Sequence, residues 1–270
     1  MTTAIEAAAP AKVNLALHIT GQRDDGYHVL DSLVVFADVM DKLTLTPAST
    51  MSLSVDGAFA EGVPADAGNL VWQAAELCRA VYDIRLTKNI PHGAGLGGGS
   101  SDAAAVLRQL ERPDLASRLG ADVPVCLWPG PQHMRGIGEQ LDQLWSVPPF
   151  ALVLINPGIF FPTADVFAVL ENKTNPPMTN MPSGMEADWI CWLGEQRNDL
   201  EPAAIELAPE IDRVLNVLGD AQIARMSGSG STCFGIYPDM EAAESAAKRI
   251  SSDHPDWWVR ATQTLGASVS

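Results

Sequence analysis

Between residues 91 and 101 the chain reads Pro91-His92-Gly93-Ala94-Gly95-Leu96-Gly97-Gly98-Gly99-Ser100-Ser101. Five glycines in seven positions cost heavily in backbone entropy, and a chain tolerates that where side chains would block a close approach. The next residues, Asp102, three alanines, Val106, Leu107 and Leu110, have the composition and spacing of a helix. A helix start offers unpaired N–H groups and a partial positive charge, so loop and helix together form a cradle for an anion. The plainer reading is a flexible loop whose serines cap the helix. Glycine this dense, directly before a helix start, favours the cradle and a phosphate in it.

The P-loop signature is absent, because no lysine follows the glycines. Gly93, Gly95 and Gly98 satisfy G-x-G-x-x-G, which invites a dinucleotide-binding reading. Against it stands the preceding segment, where Ile84, Leu86 and Ile90 alternate with Arg85, Thr87 and Asn89. Such alternation marks a strand solvated on one face, whereas the parallel strand of a dinucleotide fold is apolar throughout. The formal net charge of −16 over 270 residues argues against a nucleic-acid or anionic-membrane partner. A phosphorylated small molecule must then be held by a few local cations, metal ions and backbone N–H groups. Cys78, Cys126, Cys191 and Cys233 lie among apolar neighbours without a C-x-x-C and read as reduced residues of a cytoplasmic protein. The N-terminal segment lacks the basic start and apolar core of a signal peptide, and no apolar run is long enough to span a bilayer. Nothing in the sequence sets an oligomeric state.

In chain order, the alternation of Val13, Leu15, Leu17 and Ile19 predicts a half-buried strand. A glycine turn at 21–26 leads into a second strand from Tyr27, and Leu43/Leu45 and Met51/Leu53/Val55 read as hairpin strands. Asn69 caps a helix with Leu70, Val71, Ala74 and Leu77 on its apolar face. After the glycine-loop helix come a short helix at 115–119, a strand at 125–128 and a turn at 136–139. Pro148-Pro149 is the expected domain boundary. Beyond it lie an apolar strand (151–155), a helix capped by Thr163, and an exposed loop at 172–184. Two helices, two strands flanking Ser227-Gly228-Ser229-Gly230-Ser231, a helix capped by Asp239 and a closing strand complete the chain. The second half therefore has β-α-β-β-α-β order, a split βαβ.

Four segments together carry a resemblance. Pro10-Ala11-Lys12-Val13-Asn14-Leu15 opens the chain and Asp25-Gly26-Tyr27-His28 follows its first strand. The glycine loop is followed by Gly120-Ala121-Asp122-Val123-Pro124, and Ser227-Gly228-Ser229-Gly230 comes near the end. From Pro10 to about Tyr237 the chain resembles the galactose/homoserine/mevalonate/phosphomevalonate (GHMP) kinase superfamily. The joining of P-A-K-x-N-L to G-Y-H is the specific part; the glycine loop alone marks only the superfamily. The pair is similar to the branch whose acceptor is a cytidine diphosphate-linked methylerythritol, in the non-mevalonate route to isoprenoids. The resemblance implies an α+β, two-domain fold with its site in the cleft between domains. Residues 1–148 would form the nucleotide-binding and catalytic domain, and residues 149–270 a ferredoxin-like split-βαβ domain on the substrate side.

Site roles follow from the same resemblance. It implies ATP as co-substrate, held by Pro91, His92, Gly93, Ala94, Gly95, Leu96, Gly97, Gly98, Gly99, Ser100 and Ser101, with Mg²⁺ reached through Ser100 or Ser101. Lys12 and Asp122 would be catalytic; alone, they read as a solvated lysine at a strand start and a turn aspartate. An ammonium suits charge on phosphoryl oxygens, and a carboxylate suits the hydroxyl proton. Asn14, Tyr27, His28, Ser227, Gly228, Ser229 and Gly230 would bind the small-molecule acceptor, Tyr27 stacking on cytosine and His28 bonding its edge. The chain departs from the family where an aromatic is expected ahead of Asn198-Asp199: Gln196 and Arg197 stand there, with Trp192 as a substitute for the second wall of the base pocket. A mevalonate- or homoserine-type kinase would keep the glycine loop without using Gly-Tyr-His. A non-catalytic nucleotide-binding member would have lost Lys12 or Asp122, and neither is lost. A dinucleotide-dependent oxidoreductase is the remaining alternative.

Overall fold

The computed structural model describes residues 4–267. Its elements, in chain order, are β1 (Ile5–Gln22), β2 (His28–Pro47), β3 (Ser52–Asp56), α1 (Leu70–Leu77), β4 (Tyr82–Thr87) and α2 (Gly98–Gln109). A 3-10 turn (Pro113–Arg118) precedes α3 (Val123–Cys126), β5 (Gln132–Gly136), β6 (Gln140–Gln143), β7 (Ala151–Asn156), α4 (Thr163–Ala168) and α5 (Glu186–Gly194). The chain ends with α6 (Glu201–Leu207), α7 (Glu210–Val217), β8 (Ile223–Met226), β9 (Cys233–Tyr237), α8 (Met240–Asp253) and β10 (Trp258–Gln263). These elements make two compact units assembled from non-consecutive stretches. The first holds residues up to Lys12, Val39–His92 and Gly97–Pro129; the second holds Val13–Asp38, Gly93–Leu96 and the chain from Gly130 onward.

In the first unit, the Lys42–Pro47 half of β2 pairs antiparallel with β4, and β3 pairs parallel with β4. The expected hairpin between the strands at 43–45 and 51–55 is therefore not formed. A helix, α1, separates β3 from β4 in the chain, and strands joined by a helical crossover run parallel. Asn69 caps α1 as its sequence predicts, its side chain accepting from Val71 N at 2.9 Å. Helix α2 packs on α1 and buries Ala103, Ala104, Ala105, Val106 and Leu107. The segment at 125–128, expected as a strand, instead belongs to α3 and its end. Pro124 sits in the first turn, where its fixed φ and missing N–H favour a helix over a sheet.

In the second unit, Leu30–Val34 of β2 pairs with β5, and β5 with β6 around the predicted turn. The other sheet has order β10-β7-β9-β8, all pairs antiparallel, which is the split-βαβ arrangement expected from the element order. Strand β7 is buried along its whole length, as its unbroken apolar run requires. Val153, Ile155, Val166, Val214, Leu218, Ala243 and Ile250 share one core with Leu17 and Ile19 of β1. Thr163, expected as a cap, is the first residue of α4, and Pro162 precedes it in extended conformation.

Strand β1 differs most from its expected form. Alternation predicts one wet face, yet every residue from Ala9 to Ile19 is buried. Its polar members survive because each is partnered: Lys12 by Asp122, Asn14 by Ser32, and His18 by the Pro176 carbonyl and the Arg197 N–H. A strand with both faces covered carries polar residues at least cost on those terms, and only the Asn14 Oδ1 departs from them.

The core of the second unit gives a direct test. Ile155 is fully buried in it, and Ile155→Ala is expected to lower unfolding stability by about 2–5 kcal/mol, the range for large-to-small core changes. The shift of the urea midpoint at unchanged slope measures it; a shift below about 0.5 kcal/mol would mean that β7 is not in the core.

Candidate active site

The glycine loop is divided between the units. Its second half, from Gly97, enters α2 in the first unit. Gly97 is the residue before the helix and has φ +61, with no side-chain cap. The expected serine cap is therefore absent: the helix begins three residues earlier than Ser101. Ser101 is fully buried, and its hydroxyl donates to the Pro10 carbonyl at 2.8 Å. Ser100 is half-buried, and its hydroxyl has no partner among the described residues. A Cβ on Gly97 would lie 3.2 Å from the Lys12 side chain. Lys12 Nζ donates to Asp122 Oδ2 at 2.8 Å, with 6% of the lysine side chain exposed and 45% of the aspartate's. Burial alone would depress the Lys12 pKa, but the charge of Asp122 and its hydrogen bond outweigh it, so Lys12 lies above its ordinary value and stays an ammonium. Asp122 precedes α3 without capping it, which leaves its carboxylate to Lys12.

Beneath the same loop lies a charged group that the sequence motifs did not single out. Lys88 Nζ donates to Asp41 and, at 2.7 Å, to Asp102 Oδ2; all three residues are buried. Asp41 Oδ1 also accepts from Asn89 N at 2.5 Å and Ile90 N at 2.9 Å. The approach to the glycines and the first turn of α2 are thus tied to one ammonium. Two carboxylates share that ammonium, and burial with the neighbouring Asp41 pushes Asp102 up to about 7 against the pull of Lys88. A cavity of about 180 Å³ opens beside Gly99, with Asn69, Leu70 and His92 in its wall.

The first half of the loop, Gly93–Leu96, belongs to the second unit and lies against the Ser227–Ser231 loop. Ser227 Oγ donates to the Gly95 carbonyl at 3.0 Å, and Thr232 N to the Ala94 carbonyl at 3.1 Å. Gly95 has φ +75, and a Cβ there would fall 2.3 Å from the Ser227 carbonyl, so no other residue fits. Asn14 joins the same group: its N–H donates to Ser227 Oγ at 3.1 Å and its amide to Ser32 Oγ at 2.8 Å. Its Oδ1 is buried without a partner, 3.5 Å from where a Gly228 Cβ would stand. Asn198 Nδ2 holds the loop from behind, donating to the carbonyls of Met226 and Gly228 at 2.8 Å each. Thr163 and Ser229 share a hydrogen bond of 2.8 Å between their hydroxyls.

Tyr27 is 59% exposed, so its ring is open to a ligand. His28 is half-buried, stacks on Phe167, and has Nε2 buried without a partner. The proposed second wall fails, however. Trp192 is buried, its Nε1 donates to Thr179 Oγ1 at 2.8 Å, and its ring packs edge-on against Trp189. Gln196 is buried as well and donates to the Trp192 carbonyl at 3.0 Å. Both side chains therefore face the interior. A larger cavity in this unit, about 650 Å³, is lined by Arg197, Asp199, Glu201 and Arg225 and takes in none of the nominated residues. Four of its charged groups are already paired: Arg197 with Asp199 at 2.6 Å, Arg225 with three backbone carbonyls, and Glu201 with Met226 N.

Residues 69–130 match the family described as "GHMP kinases N terminal domain", and residues 187–256 match "GHMP kinases C terminal". A protein of Dinoroseobacter shibae named 4-diphosphocytidyl-2-C-methyl-D-erythritol kinase is 50% identical over 266 residues, covering 94% of this chain and 93% of that protein. One of the same name from Ruegeria pomeroyi is 48% identical, covering 94% and 97%. The chain belongs to the 4-diphosphocytidyl-2-C-methyl-D-erythritol kinase family. A crystal structure of 4-(cytidine 5'-diphospho)-2C-methyl-D-erythritol kinase superposes with TM-score 0.79 at 34% identity, covering 97% of this chain and 100% of that one. Homoserine kinase from Cytophaga hutchinsonii, at 20% identity and TM-score 0.71, shares the fold. Membership makes the chain an ATP-using kinase with an alcohol acceptor, on a two-domain GHMP fold. No helix of the described residues is long and apolar enough to cross a membrane.

Two outcomes follow from the loop. Gly97→Val places a branched side chain at φ +61 against Lys12 and is expected to raise the ATP KM and lower kcat with circular dichroism unchanged; normal ATP kinetics in that variant would remove the loop from nucleotide binding. The second concerns Asp102, whose folded pKa of about 7 lies above the ordinary 3.8. The folded state holds this proton more tightly than the unfolded chain does, so the group's contribution to stability is greatest below about pH 4 and falls as pH rises through about 7. Asp102→Asn has no such proton. The melting temperature of that variant minus that of the wild type should therefore increase between about pH 4 and about pH 8. A flat difference would show that the carboxylate is ionised throughout.

Proposed function

We propose that this chain transfers the γ-phosphoryl group of ATP to the 2-hydroxyl of 4-diphosphocytidyl-2-C-methyl-D-erythritol, in the cytoplasm, as a step toward isoprenoid precursors. The observation that carries the reading is the Lys12–Asp122 pair at 2.8 Å, set beside Gly97. In phosphoryl transfer the protein mainly positions groups and neutralises charge. Asp122, half open to solvent, accepts the proton of the attacking hydroxyl; Lys12, buried and charged, orients that carboxylate and stabilises charge on the phosphoryl oxygens. Backbone N–H groups from residues 91–101 hold the nucleotide phosphates at the start of α2. The protein offers no cluster of three His, Cys, Asp or Glu side chains for a metal among the described residues. A hydroxyl and a carboxylate beside phosphate nonetheless suit Mg²⁺, a hard cation that keeps few protein ligands. Of the two serines, Ser100 is the one with its hydroxyl uncommitted. When bound, Mg²⁺ would neutralise charge on the nucleotide phosphates.

On the acceptor side, the partnerless Asn14 Oδ1 and the loop 227–230 bind the methylerythritol, Tyr27 stacks on the cytosine and His28 reads its edge. A site with buried polar atoms aimed at a base penalises ligands that lack the base. Residues 1–148 and 149–270 are the proposed nucleotide and acceptor domains, consistent with family matches on either side of Pro148-Pro149. Asp122→Asn is expected to lower kcat by about 10²–10⁴-fold with little change in either KM; retention of a third or more of wild-type turnover would take Asp122 out of the mechanism. An ADP-release assay on a panel of alcohols tests the acceptor. Fast turnover is expected for the cytidyl-linked substrate, and almost none for 2-C-methyl-D-erythritol 4-phosphate, mevalonate or homoserine. Comparable kcat/KM on the base-free alcohol would overturn the acceptor assignment.

A further inference from the structure

Helix α4 touches both ends of the acceptor-side group within the second unit. Its first residue, Thr163, hydrogen-bonds Ser229 of the Gly/Ser loop at 2.8 Å. One turn on, the Phe167 ring stacks on His28 with centroids 4.5 Å apart and planes 21° from parallel. Between them Val166 is fully buried in the core of the unit, which pins the helix in place. The imidazole of His28 therefore has one face covered, while its Nε2 is buried and has no partner. A buried nitrogen left without a hydrogen bond costs free energy unless a ligand completes it.

We infer that Phe167 is the positioning residue of the base-reading site: its ring holds the His28 imidazole in one plane, so that Nε2 meets the hydrogen-bonding edge of the substrate's cytosine. This rests on the assignment of His28 to the base in the proposed function. Phe167 takes a different part from the aromatic expected ahead of Asn198. That residue would have stacked on the base, whereas Phe167 stacks on the histidine that bonds it. Burial and Lys173 hold the His28 pKa below its ordinary value, so a neutral ring is presented at neutral pH. A neutral Nε2 pairs with either the ring nitrogen or the amino group of cytosine, according to tautomer. Through Thr163 and Phe167, α4 also sets the span between the loop and the base-reading histidine. A shift of α4 would move the base relative to the loop, which is the kind of small misplacement that phosphoryl transfer tolerates poorly.

The test compares wild type, Phe167→Leu, Phe167→Tyr and His28→Ala, each checked by circular dichroism, with KM measured separately for the cytidyl-linked substrate and for ATP. Phe167→Leu should raise the acceptor KM roughly three- to tenfold, the scale of an aromatic pair's stacking, and leave the ATP KM unchanged. Phe167→Tyr keeps the ring and should restore the wild-type value. An acceptor KM unchanged in Phe167→Leu but raised in His28→Ala overturns this inference and leaves the proposed function standing. An unchanged acceptor KM in His28→Ala overturns both. Should Phe167→Leu fail to fold, imidazole NMR of the wild type decides. His28 ring protons should lie upfield from the stacked ring, and the Nε2 signal should move on adding cytidine 5'-diphosphate. Ring protons at unshifted positions, or an Nε2 signal indifferent to cytidine 5'-diphosphate, would defeat the inference.

Discussion

Burial of β1 on both faces is the constraint from which the rest of the site follows. Between Ala9 and Ile19 every residue is buried, yet the strand carries Lys12, Asn14 and His18. Polar groups buried this way cost free energy unless paired, and all but the Asn14 Oδ1 find a partner within the protein. The solutions are also the arrangement on which the proposed function rests. Lys12 draws the Asp122 carboxylate away from the helix it precedes. Asn14 uses its N–H and its amide to fix Ser227 and Ser32, and keeps one oxygen in reserve. His18 accepts from Arg197 N and contacts the Pro176 carbonyl, which holds the proline-rich 172–184 segment to the strand together with Asn175, while Met178 N is held by Asp31 of β2. A segment that reads as an exposed loop is thus strapped down by hydrogen bonds.

The glycine loop works by a second constraint, exclusion of side chains. At Gly95 the neighbouring Ser227 carbonyl would fall 2.3 Å from a Cβ, and at Gly97 the Lys12 side chain stands at 3.2 Å. Both residues also have positive φ. The glycines thus serve packing against the protein itself, beside the phosphate approach proposed for them. The Lys88–Asp41–Asp102 group adds rigidity beneath. It contains one more carboxylate than ammonium, an arrangement that low dielectric makes costly, and it lies where the chain turns into α2.

Around the proposed acceptor side, the aromatic residues stand elsewhere than the family resemblance implies. The sequence lacks an aromatic ahead of Asn198-Asp199, and the tryptophan nearest to hand is committed to the core. An aromatic is nevertheless present, on α4, in contact with His28. Asn198 itself is spent on two backbone carbonyls of the 226–228 segment, and Asp199 on Ile19 N and Arg197. These are structural tasks that fix the Gly/Ser loop and the end of β1.

Much was legible in the sequence. Glycine spacing, the caps Asn69 and Asp239, the apolar run of β7 and the β-α-β-β-α-β order are local signals, and each produced the element it predicted because short-range sterics and hydrogen bonding decide such features. The motifs also nominated Lys12 and Asp122, which the fold pairs at 2.8 Å, and the two Gly/Ser loops, which it lays against each other. Pairing and burial were not legible. Whether β3 meets β2 or β4, whether residues 125–128 extend or coil, and whether the alternation in β1 faces water depend on what the rest of the chain lays against them. The same holds for Asp41, Lys88 and Phe167, none of which stands out in its own neighbourhood of sequence. Their significance arises from partners 14 to 139 residues away, Lys88–Asp102 and His28–Phe167, and only the folded chain brings such partners within reach.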